Sequence, residues 1–299
     1  MNMNPALSSQ LVEMEMIRLR YWQHLMNEDL KKKAFNIPIH VAFGNEAITV
    51  AVSNMMTADD QLVLTHRNMS YNLARAGALK PVYDEYKLSP DGVAGGKLGS
   101  MNMANPERGI VYSSSILGNN FAVSCGLALA KRVKRDKGIV IVTTGDGGME
   151  EGGYYEALVF AKSQNLKLMI IVENNNHSMS STIEQRRCSI SVEKFCEGVG
   201  CAYKPLSSND VFEYVTTLAE LRAVLDTKST PICVEAKLSL LNQHAGPTPG
   251  WPTDPMNVDL KNGLVIRNTV GDPLFVLRET MGEKQFDKMA AQVVSEGWN

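Results

Sequence analysis

The chain has 299 residues, 44% hydrophobic and 21% charged, the balance of a folded protein with a large core. Its formal net charge of −2 and its lack of long basic blocks, apart from Lys31-Lys32-Lys33, argue against nucleic acid as a partner. Five irregularly spaced cysteines without a CxxC pair, Cys125, Cys188, Cys196, Cys201 and Cys233, argue against a zinc site and read as free thiols of a reducing compartment. No run approaches the roughly 20 apolar residues of a membrane span and the first residues lack an apolar signal core, so no membrane partner is expected and the cytoplasm is the expected location.

Residues 8 to 34 carry Leu11, Met14, Ile17, Leu19, Trp22, Leu25, Met26 and Leu30 at helical spacing, which predicts a packing helix. His40 and Glu46 lie in or beside a loop that enters a helix over Ala47 to Met56. Gln61 to Thr65 is a short strand candidate, followed by His66-Arg67-Asn68. Residues 89 to 120 are dense in Gly, Ser and Asn and poor in periodicity, as functional or mobile loops are. Phe121 to Lys131 then predicts a helix of small and apolar residues.

The apolar run Gly138 to Thr144 predicts a buried strand ending in Gly145-Asp146-Gly147-Gly148. A helix follows, with Glu150 and Glu151 in its first turn and Tyr155, Leu158, Val159 and Ala161 available to a sheet. A second strand, Leu168 to Val172, ends in Glu173-Asn174-Asn175-Asn176. In a right-handed strand, helix, strand unit both strand ends lie on one edge of the sheet, so Asp146 and Asn175, 175 − 146 = 29 positions apart, emerge side by side where open sheets bind ligands. A carboxylate and an amide oxygen suit Mg2+, which completes its shell with phosphates and water. Gly147 and Gly148 let the backbone approach a diphosphate at a helix start.

Beyond this unit, Glu193 to Val199 predicts a short helix and the segment VGCAYKPL an edge strand. Asn209-Asp210 caps a helix from Val211 to Leu225, and Ile232 to Ala236 predicts the last strand. No charge cluster of catalytic spacing is legible between residues 181 and 236, which read as scaffold. Residues 240 to 257 form a Pro- and Gly-rich loop beyond that strand, a position favoured by active-site loops, and it carries His244. The tail from Asp272 predicts one amphipathic helix ending in Trp298 as an interface element.

GDG followed at this distance by NN resembles the thiamine diphosphate (ThDP) motif, and the flanking EGGYYEAL and IVENNNHSMSS resemble the α subunit of the E1 component of 2-oxo acid dehydrogenases. The resemblance spans about residues 10 to 250. It implies one diphosphate-binding domain over residues 1–299, with an N-terminal helix and a C-terminal extension. The fold class is α/β, a mostly parallel central sheet with helices on both faces. It implies Mg2+ on Asp146, Asn175 and the backbone carbonyl of His177, with Gly147 and Gly148 against the ThDP diphosphate. Arg67 matches an arginine near that diphosphate, and His66 a pocket position beside it. Ser115 and Leu117 match the turn that receives the aminopyrimidine and presses under the cofactor, and Gly96, Gly99, Ser100 and Met101 border its channel. His244 matches a histidine able to serve as acid or base, so His66 and His244 are the catalytic candidates.

The family's second histidine after the arginine falls on Met69, and the HAGPTPGWP loop departs from the dehydrogenase pattern YRxHGHSxxDP. The first expectation is an α subunit that cleaves a 2-oxo acid or similar α-carbonyl substrate and transfers the acyl or aldehyde unit. It would work with a β-type subunit carrying the pyrimidine-binding domain, as α2β2. The alternatives are a two-component, transketolase-like ketol transfer to a sugar aldehyde, and a noncatalytic cofactor-binding subunit.

Overall fold

The computed structural model describes residues 5–248 and 257–298. In chain order, helix α1 spans Pro5–Lys31 and α2 Glu46–Met55, before strand β1 at Gln61–Thr65. Helices α3 (Met69–Ala76) and α4 (Leu79–Tyr86) lead to β2 (Ile110–Ser114), α5 (Asn119–Lys134) and β3 (Val140–Gly145). Helix α6 (Gly152–Ser163) joins β3 to β4 (Leu168–Asn174), which runs into a small hairpin, β5 (His177–Ser178) and β6 (Ser181–Thr182), and a one-turn helix α7 (Ile183–Arg186). Helix α8 (Val192–Val199), β7 (Ala202–Leu206), α9 (Val211–Thr227) and β8 (Ile232–Lys237) complete the sheet region, and α10 (Pro273–Met281) and α11 (Glu283–Glu296) follow.

The six long strands lie in the order β2-β1-β3-β4-β8-β7, and every neighbouring pair is parallel. Parallel sheets are buried on both faces, and side chains alternate accordingly. Leu62, Leu64, Ile141, Ile171 and Val234 enter one core, with residues of α1, α2, α3 and α9. Val63, Val140, Val142, Ile170 and Cys233 enter a second core, under α5, α6 and α8. The strand order reverses between β1, whose successor β2 lies to one side, and β3, whose successor β4 lies to the other. Ligands of open α/β sheets bind outside the strand ends at such a switch point.

Several expectations change in detail. Residues 89–120 are not wholly irregular, because Ile110–Ser114 forms the edge strand β2. Helix α6 starts only at Gly152, after a 3-10 turn at Gly148–Glu150, so Glu150 and Glu151 precede it. Val159 is 50% exposed rather than facing the sheet, while Leu158 and Ala161 are buried. The tail holds two helices, and Trp298 packs edge-on against Tyr83 at 4.7 Å. The five cysteines are free, and all but Cys188 are buried. No helix among the described residues is long and apolar enough to cross a membrane.

A buried ion cluster ties α1 to the start of α2 and to the start of α10. Arg20 of α1 makes a two-pronged pair with Glu46, at 2.7 and 3.0 Å, and reaches Asp272 at 2.9 Å. All three residues are fully buried. Glu46 also accepts from Gln23 at 2.9 Å and from the Gly44 amide at 2.9 Å. This fixes the segment that carries His40 into the site and gives Glu46 a structural role. Arg20→Met strands two buried carboxylates and should destabilise the fold by about 3–5 kcal/mol. Denaturant unfolding at pH 7 measures this; a loss below about 1 kcal/mol would mean the cluster is not dry.

Candidate functional site

The carboxyl ends of β1, β3 and β4 open into one cleft lined by His66, Arg67, Leu117, Gly147, Glu173, Asn175, His177 and His244, with Gly148 at its base. Gly145 at the end of β3 pairs with Glu173 of β4, so the GDG turn and the Asn-rich turn are neighbours, as the spacing predicts. The glycine at 147 is required by close approach, since a Cβ there would lie 2.4 Å from Ser178 Oγ of the hairpin.

Asp146 is 1% exposed. Burial pushes its carboxyl above the ordinary range, against the pull of Arg186 and the backbone amide of Asn175. Its Oδ2 accepts from Arg186 Nη2 at 2.6 Å, whereas its Oδ1 has no hydrogen-bond partner. A buried carboxylate oxygen without a donor is costly, and a cation ligated there would remove the cost. Asn175 turns its side-chain oxygen toward the His177 amide at 3.0 Å, and His177 Nδ1 lies 3.0 Å from the Asn175 carbonyl. The two turns thus present a carboxylate and an amide oxygen on one edge, a hard-oxygen donor set that fits Mg2+.

Arg186 and Arg187 belong to this site, although the sequence between residues 181 and 236 reads as scaffold. Arg186 also donates to Glu150 at 2.9 Å, and Arg187 Nε to the same Glu150 oxygen at 2.8 Å. Burial opposes the Glu150 charge, but the two guanidinium groups hold its pKa below the ordinary value. The Arg-Arg pair follows a polar hairpin, and no local pattern shows that it folds back 36 and 37 positions onto Glu150.

On the other side of the cleft His66 and His244 meet His40, with ring centroids 4.8, 5.0 and 5.6 Å apart. Burial, then the Arg67 charge, pushes all three imidazoles down, to about 2 for His40, about 4 for His66 and about 3 for His244. They are neutral at physiological pH. Arg67 does not present an open fork to the cleft: Nη1 donates to the Val41 carbonyl at 2.6 Å and Nη2 to the His244 carbonyl at 2.9 Å. Nη2 also lies 3.2 Å from His244 Nδ1. A guanidinium only donates, so Nδ1 accepts and the His244 proton sits on Nε2. Arg67 therefore sets the tautomer of His244.

Leu117 is 42% exposed and lies over Gly148, 3.9 Å from where a Cβ there would stand, as an apolar support at the cleft floor. Ser115 is exposed and outside the lining. Gly96 and Gly99 lie outside the lining of this cleft. The amides of Ala94 and Gly96 donate to Glu85 Oε2, both at 2.8 Å, and those of Leu98 and Gly99 to Oε1, at 2.9 and 3.1 Å. The glycine-rich segment is thus wound around a buried carboxylate. Its Ser100 carbonyl accepts from Asn68, the chain neighbour of Arg67, at 3.0 Å. Glu173 is buried, and burial raises its carboxyl to about 7 while it accepts from Tyr71 at 2.7 Å. Met69 opens α3 in the core. The rest of the His244 loop, residues 249–256, lies outside the described residues.

The model of the dehydrogenase E1 component family matches residues 13–246. The chain is 27% identical to the α subunit of acetoin:2,6-dichlorophenolindophenol oxidoreductase of Bacillus subtilis, covering 57% of this chain and 51% of that one. It is 26% identical to the mitochondrial pyruvate dehydrogenase E1 component subunit alpha of Solanum tuberosum, covering 79% and 60%. The chain thus spans about half to three fifths of the length of these relatives. A crystal structure of transketolase from Campylobacter jejuni superposes with a TM-score of 0.58 at 17% identity, covering 79% of this chain and 38% of that one, a likeness of fold. With a family match across most of its length and the switch-point cleft in place, the chain belongs to the dehydrogenase E1 component family.

Proposed function

We propose that this chain is the α subunit of a two-component, ThDP- and Mg2+-dependent enzyme that cleaves a 2-oxo acid or similar α-carbonyl substrate and transfers the acyl or aldehyde unit. The observation that carries the reading is the partnerless Asp146 Oδ1, buried in the turn after β3, beside the turn after β4 that carries Asn175. Asp146, Asn175 and the His177 carbonyl would hold Mg2+, and Gly147 and Gly148 would admit the diphosphate. Leu117 would support the cofactor from below. ThDP, when bound, supplies a carbon nucleophile and an electron sink for C–C cleavage. His244, with its proton fixed on Nε2 by Arg67, donates a hydrogen bond to a substrate oxygen, and neutral His66 stands beside it.

The second chain would be a β-type subunit with the pyrimidine-binding domain, in an α2β2 assembly in the cytoplasm. An exposed groove between α5 and α6, lined by Ala122, Gly126, Leu129, Gly153, Ala157 and Phe160, offers small and apolar residues to such a chain. A second reading, transketolase-like ketol transfer to a sugar aldehyde, draws on the three clustered neutral imidazoles, which suit a hydroxyl-rich substrate. The retained Asp146 and Asn175 argue against a noncatalytic subunit.

Two outcomes are expected. Asp146→Ala, with an unchanged circular dichroism spectrum, loses Mg2+-dependent ThDP binding by calorimetry in the assembled enzyme; retained binding would sink the site assignment. The second concerns pH. The folded-state pKa values of His40, His66 and His244 lie below the unfolded value of about 6.5, so the unfolded chain takes up protons first as pH falls. Their contribution is fully present above about pH 6.5 and is lost as pH drops toward 4. Denaturant unfolding at pH 7 and pH 5 should show a smaller decline for His40→Asn than for the wild type; equal declines would mean the imidazoles are solvated.

A further inference from the structure

The side chain that touches Asp146 is a cation from the hairpin beside it. Arg186 stands one turn beyond the hairpin that carries His177, and it holds Oδ2 at 2.6 Å while Oδ1 is left without a donor. Its side chain is only 15% exposed, and it also donates to the Ser181 carbonyl, so the contact is built into the turn. Glu150, 2.9 Å from the same Nη2, is shared with Arg187. Two guanidinium groups therefore face two carboxylates, and Arg186 has a resting place on Glu150 that does not need Asp146.

We propose that Arg186 is a resident counter-ion of Asp146, one that stabilises the buried carboxylate in the absence of metal and yields it to a divalent cation while keeping Glu150. The inference rests on the reading of Asp146 as the metal ligand. Its physical basis is that a guanidinium and a dication on the two oxygens of one carboxylate repel each other in a partly buried, weakly screened site. Each must then weaken the other's hold, and by linkage the effect is reciprocal. The hairpin joins in the exchange, because Ser178 packs on Gly147 and Thr182 caps the helix that ends in Arg186. Divalent cation binding exchanges one counter-ion for another, and a cation held by Asp146 and the His177 carbonyl takes over from Arg186 the tie between the hairpin and the GDG turn.

The test uses the full chain, with its partner where the partner is needed for cofactor binding, and Mn2+ as the probe in the presence of ThDP, followed by the electron paramagnetic resonance signal of free Mn2+. Arg186→Gln should tighten Mn2+ binding about fivefold or more, the low end of typical coupling between sites. Arg186→Lys should fall between this variant and the wild type. Without metal, the amides of residues 177–187 should exchange with deuterium faster in Arg186→Gln than in the wild type, and the difference should shrink when Mn2+ is bound. Unchanged or weaker Mn2+ binding in Arg186→Gln overturns the proposal. Asp146→Ala separates the two claims: if it still binds Mn2+ at this site, the metal-ligand reading fails, whatever Arg186 does. A wild-type protein that takes up no Mn2+ overturns both.

Discussion

A buried carboxylate must be answered by positive charge or by donors, and the answer given to Asp146 is deliberately partial. Elsewhere the chain answers in full. Glu46 and Asp272 share Arg20 and several further donors, and Glu85 is wrapped by four backbone amides. Those acids bind the fold together because none of their hydrogen-bonding capacity is left for a ligand. At Asp146 one oxygen is satisfied and the other is not, in a residue 1% exposed at the end of a central strand. The same chemistry thus makes a structural residue in one place and leaves acceptor capacity in the other, and the count of donors distinguishes them.

The sheet turns that local imbalance into a site. Because β1 and β3 diverge toward opposite edges, no crossover helix covers their carboxyl ends, and the turns after them face each other across a gap. One wall is the oxygen-rich pair of turns at Asp146 and Asn175. The other wall is the imidazole cluster, kept neutral by burial and by the fixed charge of Arg67. An acid with one unsatisfied oxygen and a cluster of neutral imidazoles thus line one cleft.

Local and repetitive information was legible in the sequence. The strands ending at Gly145 and Asn174 are continuous apolar runs, and the GDG and NN turns sit at their ends because the polar residues begin where the sheet stops. The Asp210 cap is one residue with a local partner, and it forms as expected. What was not legible depends on distant pairs. Glu85 lies within a helix whose pattern gives no hint that a glycine-rich segment, 9 to 14 positions later, will close on it. The short edge strand β2 is hidden because an edge needs only one buried face. His40 and Glu46 looked alike as loop-entry polar residues. Folding sends one to the imidazole cluster and the other to Arg20, a distinction set by which helix packs behind them. The pairing of Arg186 and Arg187 has no local signature because their partner, Glu150, lies on the far side of a strand and a hairpin.

The choice of substrate turns on the cation inventory of the cleft. A 2-oxo acid needs a positive group for its carboxylate, and Arg67 is the only arginine or lysine among the described lining residues. Its fork already serves the Val41 carbonyl and both the carbonyl and Nδ1 of His244. Binding a carboxylate there would release His244 from its tautomer, so the two tasks compete for one side chain. Neutral imidazoles meet no such conflict when they donate to a carbonyl or hydroxyl oxygen, since donation through Nε2 is what the Arg67 contact enforces. A 2-oxo acid carboxylate would therefore need a donor other than Arg67, whereas a ketol substrate would leave the contact between Arg67 and His244 intact. The geometry of this chain thus favours neutral donors at the imidazole wall and leaves its unsatisfied acceptor, Asp146 Oδ1, to the other wall.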